Sequence, residues 1–75
     1  MAFHMPKIIN PIQHFGKRVR EKRTALGFSQ EKLAADAGVH RTYIGMVERA
    51  EKNITLENIA KIAGALRVNI DELFR

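Results

Sequence analysis

Between Leu26 and Glu48 the chain reads LGFSQEKLAADAGVHRTYIGMVE, and this stretch constrains the fold more than any other. Ser29 has the short polar side chain that caps a helix N-terminus, and the helix-forming run Gln30 to Ala37 follows it. Gly38 stops that run, because glycine accepts the left-handed backbone of a sharp helix exit. The chain can then turn through Gly38, Val39 and His40 and start a second helix at Arg41. Two short helices across so tight a glycine-containing turn form a helix-turn-helix.

The second of these helices, Arg41 to about Arg49, has two unlike faces. Ile44, Val47 and Glu48 fall at i, i+3 and i+4 and face inward, while Arg41, Gly45 and Arg49 form one outward row and Thr42 and Met46 another. A guanidinium, a hydroxyl, a thioether and a bare glycine suit base edges, a thymine methyl and close approach to DNA. Charged rows are ordinarily solvated surface, so this face by itself fits either DNA or plain solvent.

The remaining sequence reads as a scaffold for the pair. Asn10-Pro11-Ile12-Gln13 has the cap, the first-position proline and the capping-box spacing of a helix start, which predicts a first helix from about Pro11 to Ala25. Its apolar stripe, Ile12, Phe15, Val19 and Leu26, should pack against the second and fourth helices. Thr55 caps a fourth helix with an apolar face of Leu56, Ile59, Ile62, Ala63 and Leu66, and Asn69 to Glu72 repeats the capping-box spacing for a short fifth. The expected architecture is an all-α, compact five-helix bundle without strands. Residues 1–10 form an N-terminal extension, partly disordered, whose leading MAFHM is consistent with a cloning remnant. Residues 11–75 form one domain.

At 75 residues the chain has room for one core. Its net charge is +5, and Lys17, Arg18, Arg20, Lys22 and Arg23 crowd into the first helix with only Glu21 to offset them, which favours a polyanionic partner. No apolar run is long enough to span a membrane, and bulky apolar residues are sparse beside the basic cluster, so a membrane surface fits poorly. Without cysteine or a secretory segment the expected location is the cytoplasm.

From Ile12 to Phe74 the sequence resembles the Cro and phage-repressor (Xre-type) helix-turn-helix family. The residues that carry the likeness are Arg20, Arg23, Leu26-Gly27, Ser29-Gln30, Leu33-Ala34, Gly38-Val39, Ile44, Glu48, Thr55-Leu56, Ile59, Leu66 and Asp71-Glu72-Leu73-Phe74. Within that family HRTYIGMVERAEKNITLENI is most similar to small controller proteins of restriction–modification systems. The resemblance implies a lambda-repressor-like domain that binds double-stranded DNA in a sequence-specific way and regulates transcription. Three positions depart from the pattern. Ala50 and Arg67 stand where glycine ends helices, so those helices either end differently or carry strain, and His40 stands where Ser, Thr or Asp is the commoner cap.

The resemblance also assigns roles. His40, Arg41, Thr42 and Met46 fall where the recognition helix reads bases, with Arg41 the candidate for a bidentate contact to guanine. Gln30, Tyr43, Arg49, Lys52 and Asn53 fall where the DNA backbone is held; the Tyr43 ring could pack on the scaffold while its hydroxyl reaches a phosphate, and packing alone is the lesser alternative. Arg23 and Glu48 match a structural ion pair that ties the first helix to the recognition helix.

One module of this size reads few base pairs, so a homodimer on a pseudo-palindrome is expected. Val68, Ile70 and Phe74 are the candidate dimer interface, with Leu73 expected in the core. Glu31 sits where activating relatives touch RNA polymerase, which makes polymerase a candidate partner. No small-molecule effector, cofactor or metal is expected, since His4, His14 and His40 lack metal-ligand spacing, and no phosphate loop or nucleophile elbow points to an enzyme. The alternative to a regulator is a protein-interaction module such as an antitoxin or an assembly factor.

Overall fold

A computed structural model describes residues 10–75. The extension expected over 1–10 therefore lies, but for Asn10, outside the described residues, as does His4. Four α-helices and one 3-10 turn follow in order: α1 (Pro11–Ala25), α2 (Gln30–Ala37), α3 (Arg41–Glu48), α4 (Leu56–Leu66) and the turn Ile70–Leu73, with no strand among the described residues.

Side-chain caps set the helix starts. The Asn10 carboxamide oxygen accepts from the Ile12 amide at 2.9 Å, Ser29 Oγ accepts from Lys32 at 3.0 Å, and Thr55 Oγ1 accepts from Asn58 at 3.1 Å. His40 fills the same role for α3, its Nδ1 accepting from the Thr42 amide at 3.0 Å. Helix ends are left-handed. Gly38 exits α2 at φ 72°, with the Val39 amide returning to the Ala34 carbonyl. Ala50 and Arg67 adopt the same conformation at φ 58° and 61° without being glycine, so both exits carry strain of about 1 kcal/mol each.

The core draws on every element: Phe15 and Val19 from α1, Leu33, Ala34 and Ala37 from α2, Ile44 and Val47 from α3, Ile62, Ala63 and Leu66 from α4, and Leu73 from the turn. Helix α1 packs chiefly on α3, with further contacts to α4 and the 3-10 turn, rather than on α2. Gly16 permits that crossing, since a Cβ there would run into the Val47 carbonyl oxygen and lie 3.1 Å from that of Glu48.

Four expectations need correction. The fifth helix is a four-residue 3-10 turn: Asn69 makes no side-chain cap bond, and the Glu72 and Phe74 amides return to the Asn69 and Asp71 carbonyls, three residues back, so the segment winds tighter than an α-helix. Helix α3 ends at Glu48, with Arg49 outside it as the cap. Leu26 is 40% exposed because it lies one residue beyond α1 and leaves its stripe. Leu56 is 73% exposed, because a side chain in the first turn of α4 leans N-terminally and overshoots the core.

Candidate nucleic-acid interface

The recognition helix is held from behind by a nearly buried ion pair. Arg23 donates to Glu48 through Nε at 2.6 Å and Nη2 at 3.0 Å, and its Nη1 donates to the Phe28 carbonyl at 2.8 Å. The two side chains are 12% and 5% exposed. The hydrogen bond to Glu48, opposed by burial and reinforced by the carboxylate charge, raises the Arg23 pKa further above its already high range. A raised folded-state pKa gives stability that is complete below the unfolded value and lost only above the folded one, so this guanidinium stays charged at any working pH.

Glu48 also reaches the front of the motif. Its Oε1 accepts from Gln30 Nε2 at 3.1 Å, so the first side chain of α2 is fixed against α3. Gln30 keeps one amide hydrogen for a further acceptor. Beside it, Arg49 pairs through Nε with Glu51 at 3.1 Å, and its guanidinium lies over Gly45. Gly45 is accordingly buried under Arg49 and Gln30, not open to solvent as its place in the outward row had implied.

Along the outer face, His40, Arg41 and Thr42 are exposed and Met46 is half-buried. With Nδ1 of His40 accepting the cap bond, Nε2 is the ring nitrogen left to face outward. Arg41 Nη1 meets Glu31 Oε1 across the turn at 3.2 Å, with side chains 64% and 71% exposed. An ion pair that wet opens at little cost, so Arg41 remains available to another acceptor. Lys52 and Asn53 are exposed on the segment that leads into α4.

Tyr43 serves the scaffold. It is half-buried against the core, and its hydroxyl accepts from Asn58 Nδ2 at 3.1 Å, linking α3 to α4. The hydroxyl proton remains free to donate.

At the opposite end, Arg18 donates to the Glu72 carbonyl from Nε at 3.3 Å and Nη2 at 3.0 Å, and His14 Nε2 lies 2.6 Å from the Arg75 carbonyl. Arg18 thus closes the C-terminal turn, which removes it, with Arg23, from the cations that sequence reasoning offered to a polyanion. Leu73 is fully buried, Val68 is packed against the core, and Phe74 stacks on Phe15 with ring centroids 5.2 Å apart. Phe74 still leaves 43% of its surface exposed and Ile70 leaves 39%.

Sequence reasoning did not find Gly16, the Tyr43–Asn58 bond, the capping role of Arg18 or the Glu31–Arg41 pair. Only the last left a usable trace, an acid and a base at the starts of adjacent helices. Among the described residues no group of His, Cys, Asp and Glu is placed to hold a metal, and no helix is long and apolar enough to cross a membrane.

Comparison with known proteins places this geometry. Residues 19–73 match a family described as helix-turn-helix. The control protein C.BamHI of Bacillus amyloliquefaciens is 47% identical over 60 residues, which cover 79% of this chain and 74% of that protein. The crystal structure of the restriction-modification controller protein C.AhdI from Aeromonas hydrophila superposes with a TM-score of 0.82 at 51% identity, covering 84% of this chain and 96% of that one. The biofilm regulator SinR, solved in complex with DNA, superposes at 0.77 with 29% identity over 81% of this chain and 98% of its own.

Proposed function

Because the chain belongs to the helix-turn-helix family of DNA-binding transcription regulators, we propose that it works as a homodimer on a pseudo-palindromic operator, as the autoregulatory controller of a restriction–modification system. The observation that carries this reading is the outer face of the turn, where Arg41 and Thr42 project beside the start of α2 on a helix fixed from behind by Arg23 and Glu48. Likeness to C.BamHI and C.AhdI supports the controller role.

In this account α3 enters the major groove. Arg41 takes guanine O6 and N7, His40 and Thr42 take neighbouring base edges, and the Met46 thioether meets apolar base surface. Gln30, Arg49, Lys52, Asn53 and the Tyr43 hydroxyl hold phosphates, which fixes register without reading sequence. Two copies place their α3 helices one DNA turn apart, ~34–36 Å, through the surface that Ile70, Phe74 and the edge of Val68 leave open. Concentration then becomes the signal, since dimerisation and operator occupancy are coupled. Glu31 offers RNA polymerase an exposed carboxylate once Arg41 has turned to DNA. A protein of this function resides in the cytoplasm with the DNA it regulates, and it performs no catalysis.

Two substitutions test the division between reading and holding. Arg41→Ala should relax preference at one symmetric pair of operator positions, losing ~1–3 kcal/mol per half-site there, whereas Lys52→Ala should weaken all sequences alike and lower the salt slope by roughly one unit. Binding titrations on an operator and its single-base variants at several salt concentrations measure both. Equal losses for Arg41→Ala across every variant would remove it from the reading residues, and affinity unchanged by salt would overturn DNA binding by charge.

A further inference from the structure

Gly45 is an anomaly within α3. Glycine weakens a helix of only eight residues relative to alanine, so its presence there requires a compensating reason. Core packing does not provide one, because the atoms a Cβ would meet are Arg49 Nη1 at 3.0 Å, Gln30 Oε1 at 3.6 Å and Arg49 Cζ at 3.7 Å. All three belong to polar side chains on the outer side of the motif.

Those side chains are each oriented from the far side, Gln30 by a part-buried hydrogen bond and Arg49 by an exposed ion pair. Glu48 Oε1 takes the Gln30 Nε2 hydrogen bond and so turns Gln30 Oε1 toward Gly45, while Glu51 Oε2 takes Arg49 Nε and leaves the Nη groups lying over the helix. A methyl at position 45 would crowd the nearer Nη group. The guanidinium is the mobile partner, so it would give by a few tenths of an ångström while the helix backbone stayed in place.

We infer that Gly45 is a positioning residue for DNA: by carrying no side chain it lets the Arg49 guanidinium and the Gln30 amide both lie against the same point of α3, where the two hold a single phosphate together. This rests on the reading of Gln30 and Arg49 as backbone contacts. The guanidinium supplies charge and two free N–H directions, and Gln30 supplies its remaining amide hydrogen, a donor set that fits two oxygens of one phosphate.

Stability and binding should therefore move in opposite directions when Gly45 is replaced. Gly45→Ala, Arg49→Ala and the double variant are compared for thermal unfolding and for binding to a mixed-sequence DNA duplex across a salt series. Gly45→Ala is expected to raise Tm by about 4–8 °C through helix propensity. It should nevertheless weaken DNA binding about three- to tenfold, as a misplaced charge-assisted contact would, and reduce the salt slope by up to about one unit. In the Arg49→Ala background the same alanine should cost no further affinity.

Unchanged binding by Gly45→Ala would overturn the inference. So would an equal loss in the Arg49→Ala background, which would mean that DNA itself meets the added methyl. If Arg49→Ala alone leaves affinity and salt slope intact, the phosphate reading of Arg49 fails first, and that result is distinct from a failure confined to Gly45.

Discussion

Removing the Glu48 carboxylate should be far more damaging than removing the whole ion pair. Glu48→Ala deletes three hydrogen bonds at once, two from Arg23 at 2.6 and 3.0 Å and one from Gln30 at 3.1 Å. Arg23 would keep only its bond to the Phe28 carbonyl while 12% exposed, so a charge is left largely desolvated and without its counter-ion. Such broken buried pairs cost about 3–5 kcal/mol. A domain of this length has roughly 4–11 kcal/mol of total stability, so the loss approaches the smaller of those figures. Arg23→Met is damaging for the complementary reason, because it strands the carboxylate.

Replacing both residues, Arg23→Met with Glu48→Leu, removes the unpaired charge and restores apolar volume, and should cost no more than about 2 kcal/mol. Circular dichroism during urea unfolding of the unsubstituted protein, Arg23→Met, Glu48→Leu and the double variant gives the four stabilities of the cycle, since Glu48→Leu strands Arg23 as Glu48→Ala does. With single losses of about 3 kcal/mol or more each and a double loss of at most about 2 kcal/mol, the expected coupling is at least about 4 kcal/mol; losses that add within about 0.5 kcal/mol would show that the pair does not act as a unit and refute the reasoning.

Gly16→Ala should destabilise by about 2 kcal/mol despite alanine's better helix propensity, because the added methyl meets the backbone of α3 at the Val47 carbonyl, which cannot swing aside. Calorimetry reads the result, and a raised Tm would contradict the close crossing of α1 and α3. Arg67→Gly should act in the other direction, gaining about 0.5–1 kcal/mol by relieving the left-handed exit of α4 at φ 61°. A lower Tm for that variant would mean that the arginine side chain contributes more than its backbone strain costs.

Much of this architecture is written in local signals. Ser29, Thr55 and Asn10 are short polar residues that cap wherever they precede a helical run, and Gly38 ends α2 for reasons contained within one residue. Periodicity located Phe15, Val19, Ile44, Val47, Ile62 and Leu66 in the core because their neighbours sit one helical turn away in the same segment.

The misses share a different cause. Leu56 and Leu26 satisfy the pattern but lie at helix ends, where what matters is how far the core extends in three dimensions. Gly16 has no periodic signature, since its importance lies in how closely α3 approaches it. Arg18 and Gly45 were read from charge and size alone, whereas their roles follow from partners remote in sequence, the Glu72 carbonyl for one and the Gln30 and Arg49 side chains for the other. His40 departs from the usual cap type, yet Nδ1 places an acceptor at the distance the Thr42 amide requires, so the chemistry of the atom mattered more than the residue class.

Whether α3 reads DNA in two symmetric copies is decided by selection of bound sequences from a random pool of double-stranded DNA. An inverted repeat should be enriched, its half-sites centred about 10 base pairs apart, with a fixed guanine in each half that disappears when the selection is repeated with Arg41→Ala. A pool that emerges unenriched, or enriched for a motif without two-fold symmetry that Arg41→Ala leaves intact, would contradict symmetric reading by α3.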